Sequence, residues 1–492
     1  MGSQSGAVGS RWNPPGFALP SAIRSWRVGG MGAFVFTNLT RRTEIGANSY
    51  LLEAGGKRVL LDCGLHPREE GLDALPVLEA IGNQNLNAVI VSHAHQDHIG
   101  ALPVVCRRHP EARVFLTEAT RALGDAMLHN SVNVMMRRRE EAGVVDYPLF
   151  THRELEVQWR RWMPVPLHTF FSVDGERLGP SGGEPDELSF EFYDAGHILG
   201  SVGTLFRHGG RTLLYTGDVN FEDQTLMQGA AFPTEGVDVL VIETTRGDRG
   251  IEPGFTRAAE ENRLRDALQK VFEGGGAILM PLFALGKTQE LLALFHRFRR
   301  EGRLRRDCPI YIGGLGAKLT EIHDRLAGQT VRQHPRLQLL DEVAPFVVSG
   351  QNAQTLPMKS GRIYALSSGM MTENTLSHTV ARLVLGEPRH ALFFVGYADP
   401  ESPAGKIRAA APGERVEWGE LGAKLKCGVE KFNLSGHASR ESILEYIRKI
   451  RPKKLVLVHG DPAGVEWFRS QVSVDLPETQ VIVPEPGVAV EL

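Results

Sequence analysis

Apolar positions first fall into a regular pattern at "GAFVFTNLT", and from there short apolar runs alternate with turns. In "NSYLLEAGGKRVLLDCG" two runs flank a Gly-Gly pair, the pattern of a strand, a tight turn and a second strand. "LPVLEAIG" spaces its apolar residues as a helix does. "NAVIVSH" reads as a buried strand and "RVFLTEAT" as the next one, while residues 120–145 follow a helical period. A second β-rich group contains "LSFEFYDAGHILG", "SVGTLFRHGGRTLLYTGD" and "VDVLVIETT".

After Thr245 the texture changes. "GGAILMPLF" precedes the helical "KTQELLALFHRF", "PIYIGG" precedes "AKLTEIHDRL", "RIYALSSG" precedes "TLSHTVARLVL", and "HALFFVGY" ends the series. Strand and helix in alternation predict a parallel sheet covered by helices. We therefore expect a separate α/β domain over 248–404, set between a first part, 31–247, and a last part, 405–492. The last part adds the helix "SRESILEYIRKI" and the strand "KKLVLVHG". Residues 1–30 contain "NPPGFALP" and several glycines without any period, which predicts a flexible extension.

Composition narrows the class. A chain of 492 residues with 42% hydrophobic and 23% charged residues is globular and long enough for two or three domains. No apolar run reaches the roughly 18 to 20 residues of a membrane-spanning helix. The start lacks the apolar centre of a secretory signal, so a cytoplasmic location with no membrane partner is expected. Cys63, Cys106, Cys308 and Cys427 form no C-x-x-C pair, which argues against a thiolate metal site. Lys plus Arg total 55 against 58 Asp plus Glu, so any site for a polyanion must be local. The densest basic stretch, "HRFRREGRLRR", reads as a solvated face, with a nucleic-acid contact as the alternative.

The chemistry concentrates in "SHAHQDHIG", 92–100. Alternate residues of an extended segment share a side, so His93 and His95 can meet one cation, while Asp97 and His98 face elsewhere and could serve a second. Four ligands are too few for two metals. His197 in "YDAGHILGS", Asp218 in "LLYTGDVN" and His459 in "LVLVHGD" stand at comparable places, just past apolar strands and beside glycine. Asp218 has two oxygens and could bridge.

These motifs resemble the metallo-β-lactamase fold: Asp62 in D-C-G, His93-x-His95-x-Asp97-His98, His197 and Asp218 occur in the family's order. Further along, "VDVLVIETTRGD" with Glu243, "GGGAILMPLFALGKTQELL", "SSGM", "FNLSGHAS" with His437 and "VLVHGD" with His459 are similar to the β-CASP branch, whose members are nucleases. The resemblance covers about 31–492. It implies an αββα metallo-β-lactamase sandwich with an inserted parallel-sheet α/β (β-CASP) domain.

It further implies two Zn²⁺ ions per chain, with Mn²⁺ as an alternative. One would be held by His93, His95 and His197, the other by Asp97, His98 and His459. Asp218 would bridge them and Asp62 would orient a ligand histidine from behind. Asp97, Glu243 and His437 would be catalytic, His437 as general acid beside Glu243; the structural alternative is that His437 caps the helix starting near Ser439. A histidine at 459 accompanies RNA-acting members of the branch, so single-stranded RNA is the expected substrate, cut endonucleolytically or 5′–3′ exonucleolytically. Another phosphodiester, such as DNA or a small nucleotide, and a silent scaffold subunit are the alternatives. Arg246, Lys287, Ser368 and Lys406 are candidate substrate contacts. Relatives often form homodimers, which sets that expectation here. Arg246 in "ETTRG" stands where the family commonly has an aromatic residue, and "GYADPESPAGKI" also departs from its pattern.

Overall fold

A computed structural model describes residues 33–492 except 83, 419 and 420; the expected extension over 1–30 lies outside the described residues. Two seven-stranded sheets pack face to face. The first runs Ala489–Glu491, Val35–Asn38, Tyr50–Ala54, Lys57–Leu61, Ala88–Ile90, Arg113–Leu116, Trp162–Pro164. The second runs Gln480–Ile482, Lys454–Val458, Val239–Glu243, Arg211–Tyr215, Val202–His208, Ser189–Asp194, Phe171–Ser172. The expected hairpin is present: Ala54 pairs with Lys57 and leaves Gly55 and Gly56 at φ of 57° and 71°, the positive values a two-residue turn needs.

Alternation of side chains builds the layers. Val239, Val241, Val456 and Val458 point between the sheets, against Phe36, Leu52 and Leu61. Leu240, Ile242, Leu455 and Leu457 point outward, against the helices Arg440–Ile450 and Pro462–Asp475. On the far side Leu51, Leu60 and Val89 meet the helices Leu102–Arg108 and Glu118–Ala142. Strands covered on both faces explain why these segments read as unbroken apolar runs. Each fully buried side chain of this kind contributes about 1.5–3 kcal/mol relative to exposure. The order of layers is helix, sheet, sheet, helix.

The third sheet is wholly parallel, in the order Phe346–Val348, Ile310–Gly313, Ile363–Leu366, Ile278–Pro281, Ala391–Val395, Gly428–Phe432. Its Ile278 and Met280 face Leu291 and Phe295, and its Leu279 faces Val380 and Ile407, so helices cover both sides. The sixth strand, Gly428–Phe432, follows residue 404, where the sequence pattern ends the insert. At the sheet edge four of its five residues are not buried, so no apolar run announces it. "LPVLEAIG" also differs. It forms a single 3₁₀ turn, Leu78–Ile81, preceded by another at Gly71–Ala74, because Pro76 has no N–H to donate and Gly82 turns the chain at φ 67°.

The inserted domain is fastened to the sandwich through Glu290, a buried carboxylate on the helix Lys287–Arg300. It accepts the backbone N–H of Thr225 at 2.7 Å and of Leu226 at 2.8 Å, and pairs with Arg257. Among the described residues no helix is long and apolar enough to cross a membrane.

Candidate metal centre

Strands Arg211–Tyr215, Val239–Glu243 and Lys454–Val458 are parallel neighbours, so their C-terminal ends share one rim. Asp218 lies just past the first, Glu243 ends the second and His459 follows the third. Across the sandwich, Ala88–Ile90 leads into His93 and His95, and the short helix Gln96–Ile99 carries Asp97 and His98. His197 follows Ser189–Asp194.

Two groups converge there. His93 Nε2 and His197 Nε2 each lie 3.1 Å from His95 Nδ1, and Asp218 Oδ2 lies 3.5 and 3.7 Å from the first two. In the other group His98 Nε2 is 3.8 Å from Asp97 Oδ2, and His459 Nε2 is 3.5 Å from the same oxygen. Asp218 Oδ1 completes it, 3.2 Å from His98 Nε2 and 2.8 Å from His459 Nδ1. The two oxygens of one carboxylate thus face different groups.

The outer atoms of the rings are tied down. His197 Nδ1 donates to the Gly436 carbonyl at 2.8 Å, which leaves the Nε2 lone pair facing inward. His98 Nδ1 meets Asp62 Oδ2 at 2.7 Å, and Asp62 also accepts from Ser92 N–H, Ser92 Oγ and Tyr215 Oη. Ser92 Oγ lies 3.0 Å from His93 Nδ1 as well. Ser92 and Tyr215 are not among the residues the sequence singles out, although Ser92 directly precedes the histidine motif and Tyr215 stands in "LLYTGD". Gly64 and Gly460 make the crowding feasible: a Cβ would lie 1.8 Å from the Asp97 carbonyl oxygen at Gly64 and 2.1 Å from Thr244 Oγ1 at Gly460. Asp62 and His459 adopt φ of 56° and 47°, strained values for side-chain-bearing residues that cluster at working sites.

The donor set fits divalent cations. Asp218 Oδ1 and His459 Nε2 are buried and make no hydrogen bond, which is costly unless another partner satisfies them. Burial lowers the pKa of His93, His95 and His197 and keeps them neutral, the form that offers a lone pair. At His98 and His459 burial is outweighed by Asp218, and both are raised, His459 to about 10. Burial works against the charge on Asp97 and Asp218 too, yet neighbouring histidines hold Asp97 at about 2 and Asp218 well below the ordinary value. The two ionised carboxylates concentrate negative charge where a cation would sit. Nitrogen and oxygen donors without sulfur suit Zn²⁺ or Mn²⁺.

Beside this cluster, His437 Nδ1 lies 3.1 Å from both oxygens of Glu243 and 4.0 Å from Asp218 Oδ2. Glu243 also accepts the Val219 N–H at 2.7 Å. Burial opposes a charged His437, but Glu243 and Asp218 outweigh it and its pKa is raised. His437 does not cap the following helix. Ser439 caps Arg440–Ile450, its side chain accepting from Ser442 N–H.

Three family models match the chain in succession: the metallo-beta-lactamase superfamily over 42–263, the Beta-Casp domain over 288–407 and the Zn-dependent metallo-hydrolase RNA specificity domain over 422–484. The chain belongs to the metallo-β-lactamase/β-CASP family. It is 28% identical over 438 residues to cleavage and polyadenylation specificity factor 73 of Drosophila melanogaster, covering 85% of this chain and 58% of that protein. It is 27% identical over 450 residues to endoribonuclease ysh1 of Schizosaccharomyces pombe, covering 89% and 55%. The chain thus spans somewhat more than half the length of these relatives. A crystal structure of a protein of unknown function from Enterococcus faecalis matches 94% of this chain and all of its own, with a TM-score of 0.52 and 14% identity, which shows the shared fold.

Within this β-CASP architecture the four candidate substrate contacts divide. Arg246 and Lys287 are half-buried and turned toward protein: Arg246 donates to the His437 carbonyl and Asn433 Oδ1, both at 3.3 Å, and Lys287 Nζ to the Leu434 carbonyl. Lys406 is exposed on the helix Pro403–Ala409. Ser368 Oγ lies 3.0 Å from Thr372 Oγ1. The basic stretch is largely occupied as well, with Arg297 on Glu261 and Arg299 on the carbonyls of Val343 and Cys308.

Proposed function

We propose that the chain is a metal-dependent ribonuclease that hydrolyses phosphodiester bonds of single-stranded RNA. His93, His95 and His197 would hold one divalent cation and Asp97, His98 and His459 a second, with Asp218 placed between the two groups; zinc suits the donors best. Bound cations of this kind supply hydroxide at neutral pH and neutralise charge gathering on a phosphoryl group. The observation that carries the reading is His437 on Glu243, an imidazole whose pKa is raised, 4.0 Å from Asp218. With Nδ1 engaged by Glu243, the exchangeable proton is on Nε2. Attack of hydroxide on phosphorus forms one P–O bond and breaks another, and the leaving oxygen takes the Nε2 proton. Glu243 keeps His437 charged beforehand and in register throughout.

An RNA substrate is supported by the description of the model matched over 422–484 and by relatives named as endoribonucleases. The test compares wild type, Asp97→Ala and His437→Ala on labelled single-stranded RNA and matched DNA with Zn²⁺ or Mn²⁺ added. Wild type should cut RNA and both variants should be severely impaired. Equal cleavage by all three would sink the mechanism, and faster cutting of DNA would overturn the substrate.

A further inference from the structure

The segment Asn433–His437 joins the last strand of the inserted sheet to a helix of the sandwich, and its conformation decides where the His437 ring stands. Side chains from both sides grip it. Lys287 reaches the Leu434 carbonyl from the inserted domain, and His197 reaches the Gly436 carbonyl from the sandwich. Arg246 makes two bonds, one to the Asn433 side chain at the start of the segment and one to the His437 carbonyl at its end. It stands three residues after Glu243, beyond the end of the same strand. One strand end therefore supplies both the carboxylate on the His437 ring and the guanidinium on its backbone.

We propose that Arg246 is a positioning residue for proton delivery, acting through His437, and not a contact to substrate phosphate. This inference rests on the reading of His437 as general acid. A planar guanidinium with several donors can span two acceptors at fixed separation, which a lysine cannot do with one ammonium. Loss of the brace lets the segment shift, and a misplacement of about 1 Å at a reacting group costs on the order of 100-fold in rate.

The experiment uses metal-loaded, full-chain protein as wild type, Arg246→Ala, Arg246→Lys, His437→Ala and the Arg246→Ala/His437→Ala double variant. These results are expected. Arg246→Ala slows RNA cleavage by on the order of 100-fold while its Kd for a phosphonate-linked RNA analogue, with methylene in place of the leaving oxygen, stays within about twofold. The double variant is no slower than His437→Ala. On bis(p-nitrophenyl) phosphate, whose leaving group needs no proton, Arg246→Ala stays close to wild type, and Arg246→Lys recovers part of the RNA rate. Amide hydrogen exchange over 432–438 rises in Arg246→Ala while metal content is unchanged. The proposal is overturned by losses that multiply in the double variant, by a Kd weakened about tenfold or more, by equal losses on both substrates, or by unchanged exchange over 432–438. A His437→Ala protein as fast as wild type on RNA would instead overturn the general-acid reading itself, and the exchange measurement would still report whether Arg246 braces the segment.

Discussion

The metal-ligand rim and the segment carrying His437 touch, with the His437 ring 4.0 Å from Asp218, yet they are held by opposite means. Each candidate ligand sits beyond the end of a strand of the sandwich, Asp97 and His98 on the short helix that follows one, so the sandwich itself brings them together. Asn433–His437 crosses between domains and is pinned by side chains from both. Cation binding should therefore be a property of the sandwich, and proton delivery a property of the two domains acting together.

The heaviest blow to the first half is Asp218→Ala. It should reduce tightly bound metal, measured by elemental analysis, and lower RNA cleavage by about a thousandfold or more, since several kcal/mol of charge stabilisation goes with the cations. His437→Ala should strike only the second half: cleavage falls by roughly 10²–10⁴-fold with metal content intact. Should His437→Ala lose metal, the two halves are not separable. Glu290→Gln tests whether the junction matters to the second half alone. Breaking a buried, hydrogen-bonded ion pair costs about 3–5 kcal/mol, seen as a lower Tm and a slower enzyme that still binds metal.

Asp62→Asn should act on the rim without touching the segment, weakening metal affinity by roughly 10–100-fold because His98 loses the group that fixes its ring. Glu243→Gln should give the finest effect. Burial pulls the His437 pKa down and Glu243 raises it, so removing that charge lets the pKa fall. The acid works protonated, and activity declines as pH rises through its pKa. The alkaline limb of the pH–rate profile should move to lower pH while the acid limb stays in place.

The same contrast explains what could be read from the chain. Members of the cluster such as His93 and Asp218 were legible because they follow apolar strands closely, and a strand end is visible as a pattern. The hairpin over Tyr50–Leu61 and the alternating insert were legible for the same reason. What escaped depends on partners distant in sequence. The partners of Arg246 were not legible, because nothing in "ETTRG" discloses Asn433, 187 residues away. The strand Gly428–Phe432 escaped because an edge strand with mostly unburied residues has no apolar signature. The closing strand, Ala489–Glu491, is three residues long and is defined by its pairing with Val35–Asn38.

Chain order has one further consequence. Six of the candidate ligands lie at or before Asp218, but His459 follows the strand Lys454–Val458, which slots between Val239–Glu243 and Gln480–Ile482. During synthesis the whole inserted domain leaves the ribosome before that strand exists. A nascent chain that ends before Gly428 can thus hold six of the seven clustered residues but neither His459 nor His437. The cluster is complete only when the sandwich closes around its guest, and a product truncated before Lys454–Val458 lacks His459.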